Sequence, residues 1–179
     1  MPILKQNFYN QNTLKVAKNL LGCFLVRKKE KKIIRVVITE TEAYRGFHDL
    51  ASHASKGKTE RNKIMFGKSG HAYIYLVYGM HWMLNIVTEE KNFPAAVLIR
   101  GVNLLNEKGE TIKKLDGPAK LTKFLGITGK LNGLDMAQKK ILWVEKGEIK
   151  NKKIIKSKRV GVDYAKHCKE WKWNFKLDL

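Results

Sequence analysis

Two carboxylates stand two residues apart at the end of an apolar run and are the first candidates for chemistry in this sequence. Glu40 and Glu42 follow Val36–Ile38, a run typical of a buried strand. Alternate residues of a strand project to one face, so both carboxylates are expected together, with Ala43 on the other side. A free glutamate ionises at about pH 4.3, so either can act as a general base toward water at neutral pH. Two surface carboxylates neutralised by nearby lysines are the alternative interpretation.

A second candidate is an aromatic hairpin. Tyr73–Tyr78 and His81–Val87 flank Gly79 and Met80, a pattern that predicts two strands joined by a tight turn. Tyr78 directly precedes the turn, where a ring has no core of its own to join. An exposed aromatic side chain at a hairpin tip is suited to insertion between stacked bases. Ordinary core packing remains the alternative for the other aromatic residues of the hairpin.

The charge of the chain indicates the kind of partner. Lysine and arginine number 36 against 16 aspartate and glutamate, giving a net charge of +20. Residues 1–100 and 101–179 each carry +10, so the charge belongs to the whole body and not to a tail. A small domain with this field attracts polyanions, and nucleic acid is the first candidate. A general lysine bias is the alternative, because 30 of the 36 basic residues are lysine.

Neither a metal site nor a disulfide framework is expected. His48 and His53 follow the two glutamates within the polar segment 45–70, but their spacing fits no standard ligand pattern. Cys23 and Cys168 are too far apart for a CxxC zinc site or a disulfide scaffold. No apolar run approaches the roughly 20 residues of a membrane helix, and no secretory signal is recognisable. We therefore expect no cofactor, no membrane partner and a cytoplasmic location, nucleoid-associated in a prokaryote.

The elements that must position these residues are mainly strands joined by turns. A length of 179 residues with 44% hydrophobic residues predicts one folded domain, residues 1–179, and rules out general disorder. The sequence thus predicts the α+β class: a single mixed domain, a largely antiparallel β-sheet with flanking helices and a protruding β-hairpin. Helices are expected at 13–21 and 118–125, strands at 23–27, 33–43, 73–78, 81–87, 94–102 and 171–177, and a further hairpin at 140–155 turning at Lys146-Gly147.

Several motifs, in order, resemble the alkyladenine (3-methyladenine) DNA glycosylase family. The resemblance spans about residues 7–175, and the order and spacing of many motifs make it specific where any one would be weak. Glu60 and His81 depart from it, standing where a proline and an aromatic residue are common. The matching segments are Leu20–Gly22, Glu40–Tyr44, Arg61-Asn62, Met65-Phe66, Tyr73–Met80, Asn85, Val97–Arg100, Gly117–Leu121 and Arg159–Val162.

The resemblance implies base-excision repair of double-stranded DNA by a monomeric enzyme. The implied reaction is hydrolysis of the N-glycosidic bond of alkylated purines, such as 3-methyladenine and 7-methylguanine, after base flipping and without strand cleavage. It implies that Glu42 is the general base for water and that Arg100 lies beside that water and a backbone phosphate. It further implies that Tyr78 fills the gap left in the duplex and that Met80 contacts the minor groove.

The resemblance also implies the pocket that holds the flipped base. Tyr44, His53 and Tyr75 would sandwich the base, and Asn85 would clash with the amino group of guanine. Alkylation at N3 or N7 places positive charge on a purine, and aromatic rings attract cations through their π faces. An aromatic pocket is therefore consistent with an alkylated base.

Two other functional classes remain open from the residues. A non-enzymatic nucleic-acid-binding protein would explain the charge of +20 but not Glu42 within the run Glu40–Tyr44. A carbohydrate hydrolase using Glu40 and Glu42 would explain the carboxylates, since residues i and i+2 of a strand lie roughly 7 Å apart. It would not explain the charge.

Overall fold

An antiparallel sheet built around one long central strand dominates the structure. The computed structural model describes residues 1–147 and 153–178, and its α-helices and strands there are α1 (Gln6–Tyr9), α2 (Thr13–Leu20), β1 (Phe24–Lys29), β2 (Lys32–Arg45), β3 (Ala72–Val77), β4 (His81–Val87), β5 (Ala95–Leu105), β6 (Thr111–Asp116), α3 (Pro118–Leu125), β7 (Leu142–Glu145), β8 (Ile154–Ser157) and β9 (Asn174–Leu177). In the sheet the order is β3-β4-β5-β2-β1-β7, with β6 paired to β5, β9 paired to β2, and β8 paired to β9. All of these pairs are antiparallel, which confirms the predicted α+β class.

Helices α2 and α3 pack their apolar stripes against the sheet. Helix α2 buries Val16, Ala17 and Leu20, and α3 buries Leu121 and Leu125, all within the largest core cluster. No helix among the residues described is long and apolar enough to cross a membrane.

The sequence pattern predicts Thr13 as the N-cap of α2, but the N-cap in the structure is Asn12. Its side chain accepts from the backbone N–H groups of Leu14 and Lys15. The hydroxyl of Thr13 donates to Glu89 at 2.7 Å. Helix α3 agrees with the prediction: it spans Pro118–Leu125, and Gly126 is its C-cap.

Three sheet features differ from the predictions. The hairpin predicted at 140–155 is wrong, because β7 pairs with β1 and β8 pairs with β9. Residues 148–152 of that prediction lie outside the described residues. The strand predicted at 171–177 begins only at Asn174, after a 3-10 helix at Lys166–Glu170. Strand β6 was not predicted. Periodicity identifies strands well, but it does not say which edge each one joins.

A β-bulge at Glu40 decides which side chains of β2 face the core. The register between β2 and β5 shifts on both sides of Glu40. Before the bulge, Val36 and Ile38 lie in the main core; after it, the odd-numbered Ala43 does. Thr39 of β2 and Arg100 of β5 are each left out of the pairing here, and the irregularity turns the even-numbered side chains that follow, Glu42 among them, away from the core. Gly101 lies opposite, where an added Cβ would come within 3.1 Å of Glu40 Cβ.

Candidate active site

A cavity of about 460 Å³ opens where β2 leaves its bulge, beside the β3–β4 hairpin. Its lining also includes part of β5 and the segment 160–164. Seven of the eight predicted site residues line it, and the eighth, Met80, stands at the hairpin tip. The seven are Glu42, Tyr44, His53, Tyr75, Tyr78, Asn85 and Arg100. The structure thus brings together residues from four separate stretches of sequence.

Glu42 is fully buried at this cavity and is held by donors on both carboxylate oxygens. Its Oε1 accepts from the backbone N–H of Val160 at 2.8 Å and from Asn174 Nδ2 at 3.0 Å. Its Oε2 accepts from the Tyr44 hydroxyl at 2.9 Å. Ser157 Oγ lies 3.2 Å from Asn174 Oδ1 and so orients the amide with its nitrogen toward the carboxylate. The carboxylate is fixed in one orientation before any substrate binds.

Glu40 is a neighbour of Glu42 but lines a different cavity. Arg100 Nε lies 3.0 Å from Glu40 and 3.7 Å from Glu42, and Asn174 Nδ2 also donates to Glu40 at 2.8 Å. Glu40 lines a second cavity of about 320 Å³ that it shares with Lys114 and Lys176. The two carboxylates therefore do not face each other across a single cleft, and only Glu42 lines the aromatic cavity.

The ring of Tyr44 is fixed from behind by a buried cation. The Arg159 guanidinium lies 4.8 Å from the Tyr44 ring centroid and 5.2 Å from that of Trp173. Burial raises the pKa of Tyr44 well above its usual range, and the charge of Glu42 raises it further. The Tyr44 hydroxyl therefore keeps its proton and remains a donor to Glu42 at neutral pH.

His53 and Tyr75 form another part of the cavity. Their rings meet edge to face with centroids 4.5 Å apart, and His53 Nδ1 lies 2.9 Å from the Tyr73 hydroxyl. Burial lowers the pKa of His53, and the nearby charge of Arg61 lowers it further, so the imidazole is neutral at pH 7. Burial raises the pKa of Tyr75 to about 12. These aromatic groups are uncharged at neutral pH and do not repel a cationic ligand.

Asn85 lies on β4 directly across from Tyr73 and is almost fully buried. Its Nδ2 donates to the Tyr73 backbone carbonyl at 3.1 Å. Leu98 of β5 is its partner on the other side and also lines the cavity. A side chain held between two strands in this way cannot easily move aside for a larger ligand.

The β3–β4 hairpin presents two apolar side chains to solvent, as the sequence predicted. Tyr78 is 88% exposed and adopts φ +51°, a left-handed conformation that the tight turn requires. Met80 is 69% exposed on the other side of Gly79. Arg61 supports the hairpin from the side: its Nη2 donates to the Leu76 carbonyl at 3.0 Å.

Sequence reasoning missed the segment that approaches Glu42 from the far end of the chain. In the sequence, Arg159–Val162 is only one of the matching segments. In the structure, the backbone N–H of Val160 donates to Glu42, and Val160 and Val162 line the cavity. Tyr164, 68% exposed, lines it too. The only local signal was the Arg-Val-Gly-Val pattern, which carries no chemistry by itself.

No group of three or more His, Cys, Asp and Glu side chains suited to a metal ion occurs within residues 1–147 and 153–178.

The structure thus places a buried carboxylate in an aromatic cavity beside an exposed hairpin tip. The chain matches the methylpurine-DNA glycosylase model over residues 7–178. It is 45% identical over 185 residues to a protein of Methanocella arvoryzae, covering 98% of this chain and 92% of that protein. It is 44% identical over 172 residues to one of Ehrlichia chaffeensis (96% and 92%) and 38% identical over 196 residues to one of Desulfitobacterium hafniense (99% and 96%). All three bear the name "Putative 3-methyladenine DNA glycosylase".

The chain belongs to the methylpurine-DNA glycosylase family. It is therefore a DNA glycosylase for alkylated bases, a hydrolase of N-glycosyl bonds that acts in base-excision repair on DNA containing damaged bases. The resemblance drawn from the motifs is confirmed.

Proposed function

We propose that the protein removes alkylated purines from double-stranded DNA by direct hydrolysis, with Glu42 as the general base for the attacking water. The observation that carries this proposal is the buried carboxylate of Glu42, held by Val160, Asn174 and Tyr44 at the aromatic cavity. The water attacks C1′ of the sugar, and its proton passes to Glu42. The bond from C1′ to the base nitrogen breaks, and its electron pair leaves with the base.

The alkylated base needs little help to leave. Methylation at N3 or N7 makes the purine a cation, so the departing base carries away no negative charge. Positive charge develops on the sugar as the bond breaks, and a carboxylate at Glu42 stabilises that charge as well as taking the proton. Arg100, 3.7 Å from Glu42, is positioned to bind the neighbouring phosphate. No lysine lines the cavity among the described residues, in keeping with hydrolysis rather than strand cleavage through an amine.

We propose that the flipped base lies between Tyr44 on one side and His53 with Tyr75 on the other. The rings offer π faces to a cationic purine, and the neutral His53 adds no repulsion. The fixed side chain of Asn85 then excludes a normal guanine by contact with its amino group. Flipping a base out of the duplex costs a few kcal/mol, and the cost is lowest at mispaired sites. Tyr78 and Met80 offset this cost by occupying the space that the flipped base leaves in the duplex.

A carbohydrate hydrolase is disfavoured by the geometry of the two glutamates. Paired acids of that class flank one bond, whereas Glu40 and Glu42 line different cavities and share the same Arg100 and Asn174.

We further propose that the protein acts as a monomer in the cytoplasm. Every group assigned to the reaction comes from one chain, so no second copy is needed to complete the site. Cys168 is a buried thiol, which suits a reducing compartment.

Base release from methylated duplex DNA tests the proposed function. Purified protein is incubated with DNA containing 3-methyladenine and 7-methylguanine, and the released bases are separated by chromatography. We expect free methylated purine and an abasic strand that remains intact until alkali is added. Release of no base, or strand breakage without alkali, would contradict the proposal.

A further inference from the structure

A buried ion pair behind the cavity joins three parts of the chain that meet at Glu42. Asp49 and Arg159 are both completely buried and form a bidentate pair, with Nη1–Oδ2 at 2.6 Å and Nη2–Oδ1 at 2.8 Å. Arg159 does not line the cavity, so it does not touch the base. A buried pair of this kind usually gives little net stability, because desolvation of both charges offsets their attraction. Net stability alone therefore does not account for this pair.

Besides a donation from Nη2 to the Cys168 carbonyl at 3.3 Å, Arg159 makes two contacts with strand β2. Its Nη1 also donates to the carbonyl of Ala43, the residue between Glu42 and Tyr44, at 2.9 Å. Its guanidinium stacks on the Tyr44 ring at 4.8 Å. The next residue, Val160, places its backbone N–H 2.8 Å from Glu42 Oε1. The Arg159 side chain thus fixes the backbone beside Glu42 and the Tyr44 ring, whose hydroxyl donates to Glu42 Oε2. It also precedes the Val160 amide, which donates to Glu42 Oε1.

Asp49 supplies the other anchor. Besides Arg159, its carboxylate accepts from the backbone N–H groups of Arg45, at 3.2 Å, and Ala51, at 3.1 Å. These bonds shape the loop that leaves β2 and leads to His53. Burial alone would lower the pKa of Arg159, but the hydrogen bonds and charge of Asp49 raise it. The Arg159 guanidinium therefore keeps its charge at neutral pH.

We propose that Asp49 and Arg159 are positioning residues for the reaction, which hold the Val160 amide and the Tyr44 ring against the Glu42 carboxylate. The proposal rests on the proposed role of Glu42. The two residues act through their neighbours and contact neither base nor sugar. Their loss frees Glu42 from two of its donors without altering the surface that binds DNA.

The pH dependence of excision separates this role from simple stability. The charged or titratable groups around Glu42 are Glu40 and Tyr44 on β2, Tyr75 on β3, Arg100 on β5 and Arg159 itself. Donors to an ionised carboxylate favour the ionised form. When the Val160 and Tyr44 donors are lost, the acidic limb of the rate profile should move to higher pH.

The test compares the double variant Asp49→Leu/Arg159→Met with wild type in single-turnover excision of 7-methylguanine across the pH range. Replacing both charges by apolar side chains of similar volume is often neutral for stability, so this variant is expected to fold. Arg159→Lys, which keeps the charge but not the fork, is the second variant. In both variants we expect the single-turnover excision rate to fall by about tenfold or more. The acidic limb of the pH–rate profile should move to higher pH. Binding to duplex that contains an abasic analogue should stay within about twofold of wild type.

Glu145→Gln is the matched control. Glu145 is a buried carboxylate on β7, at the opposite edge of the sheet from the hairpin, and it pairs with Arg35 of β2. It should change melting temperature but not the acidic limb. A double variant with the wild-type rate and limb would overturn the inference. An acidic limb that moves to higher pH by the same amount in Glu145→Gln would also overturn the inference. If Glu42→Gln itself excised at the wild-type rate, the proposed role of Glu42 would be wrong instead.

Discussion

The Tyr44 hydroxyl donates to Glu42 Oε2 at 2.9 Å, and Tyr44 follows Glu42 by two residues on the same strand. The ring proposed to stack on the flipped base thus also holds the carboxylate proposed to activate water. The two proposed roles therefore depend on one side chain, because residues i and i+2 of a strand project to the same face.

Tyr44→Phe should separate these two roles. The ring and its stacking surface remain, but Glu42 loses one donor. A buried hydrogen bond to a charged group is worth about 1.5–3 kcal/mol, so single-turnover excision should fall by about tenfold to a hundredfold. Binding to duplex containing an abasic analogue should be unchanged. An unchanged excision rate would show that the hydroxyl does not orient Glu42.

Tyr78→Ala should weaken flipping without weakening the fold. The side chain is 88% exposed, so the free energy of unfolding should change by no more than about 0.5 kcal/mol. Excision of a well-paired lesion should fall by about tenfold or more, and that of the same lesion in a mismatch by less, since pairing sets the cost of flipping. Ile112→Ala, which removes an exposed side chain on β6, is the control and should leave both rates unchanged. Sharp loss of thermal stability with intact excision would make Tyr78 a packing residue.

His53 should make the stability of the protein depend on pH below neutrality. Its pKa is lowered in the folded protein by burial and by Arg61, whereas the unfolded chain takes up the proton at about pH 6.5. The unfolded state therefore binds more protons as the pH falls through this window, and stability is lost there. Melting temperatures at about pH 7.5 and about pH 5.5 should differ more for wild type than for His53→Gln. His81→Gln, at the exposed end of β4, is the control; a His53→Gln protein with the wild-type pH response would contradict the assignment.

Affinity for DNA should depend strongly on salt. With a net charge of +20, binding should release several counterions from the duplex. The logarithm of the affinity for undamaged duplex should therefore fall linearly with the logarithm of salt concentration, with a slope that reflects several phosphate contacts. Titration by fluorescence anisotropy at a series of salt concentrations measures the slope. A flat response would mean that phosphate contacts do not dominate binding.

The sequence predicts the hairpin well because its signal is local: Gly79-Met80 between two alternating runs marks a turn. It places Glu40 and Glu42 near each other on one strand, but it does not show that they line different cavities. The bulge at Glu40 was not predictable in this way, since the room for it is provided by Gly101, about sixty residues away. The contact between Val160 and Glu42 joins residues 118 positions apart, and no periodicity reports it.

Pairing of strands was the least predictable part of the fold. Strand β7 is fully buried and joins the edge of β1, while β8, mostly exposed, joins β9. Sequence proximity favours a hairpin between them, but burial of Trp143 and the ion pair between Glu145 and Arg35 of β2 favour the edge at β1. Side-chain packing, which the sequence pattern does not report, therefore determines that β7 pairs with β1 and not with β8.

Single-turnover excision of 7-methylguanine by Glu42→Gln and Glu40→Gln, measured side by side with duplex binding, tests the central claim most directly. Glutamine keeps the size of both side chains and cannot accept the proton from water. The account predicts that Glu42→Gln binds DNA normally and releases no base, whereas Glu40→Gln, which lines the other cavity, keeps measurable excision. Wild-type turnover by Glu42→Gln, or loss of activity in Glu40→Gln alone, would contradict it.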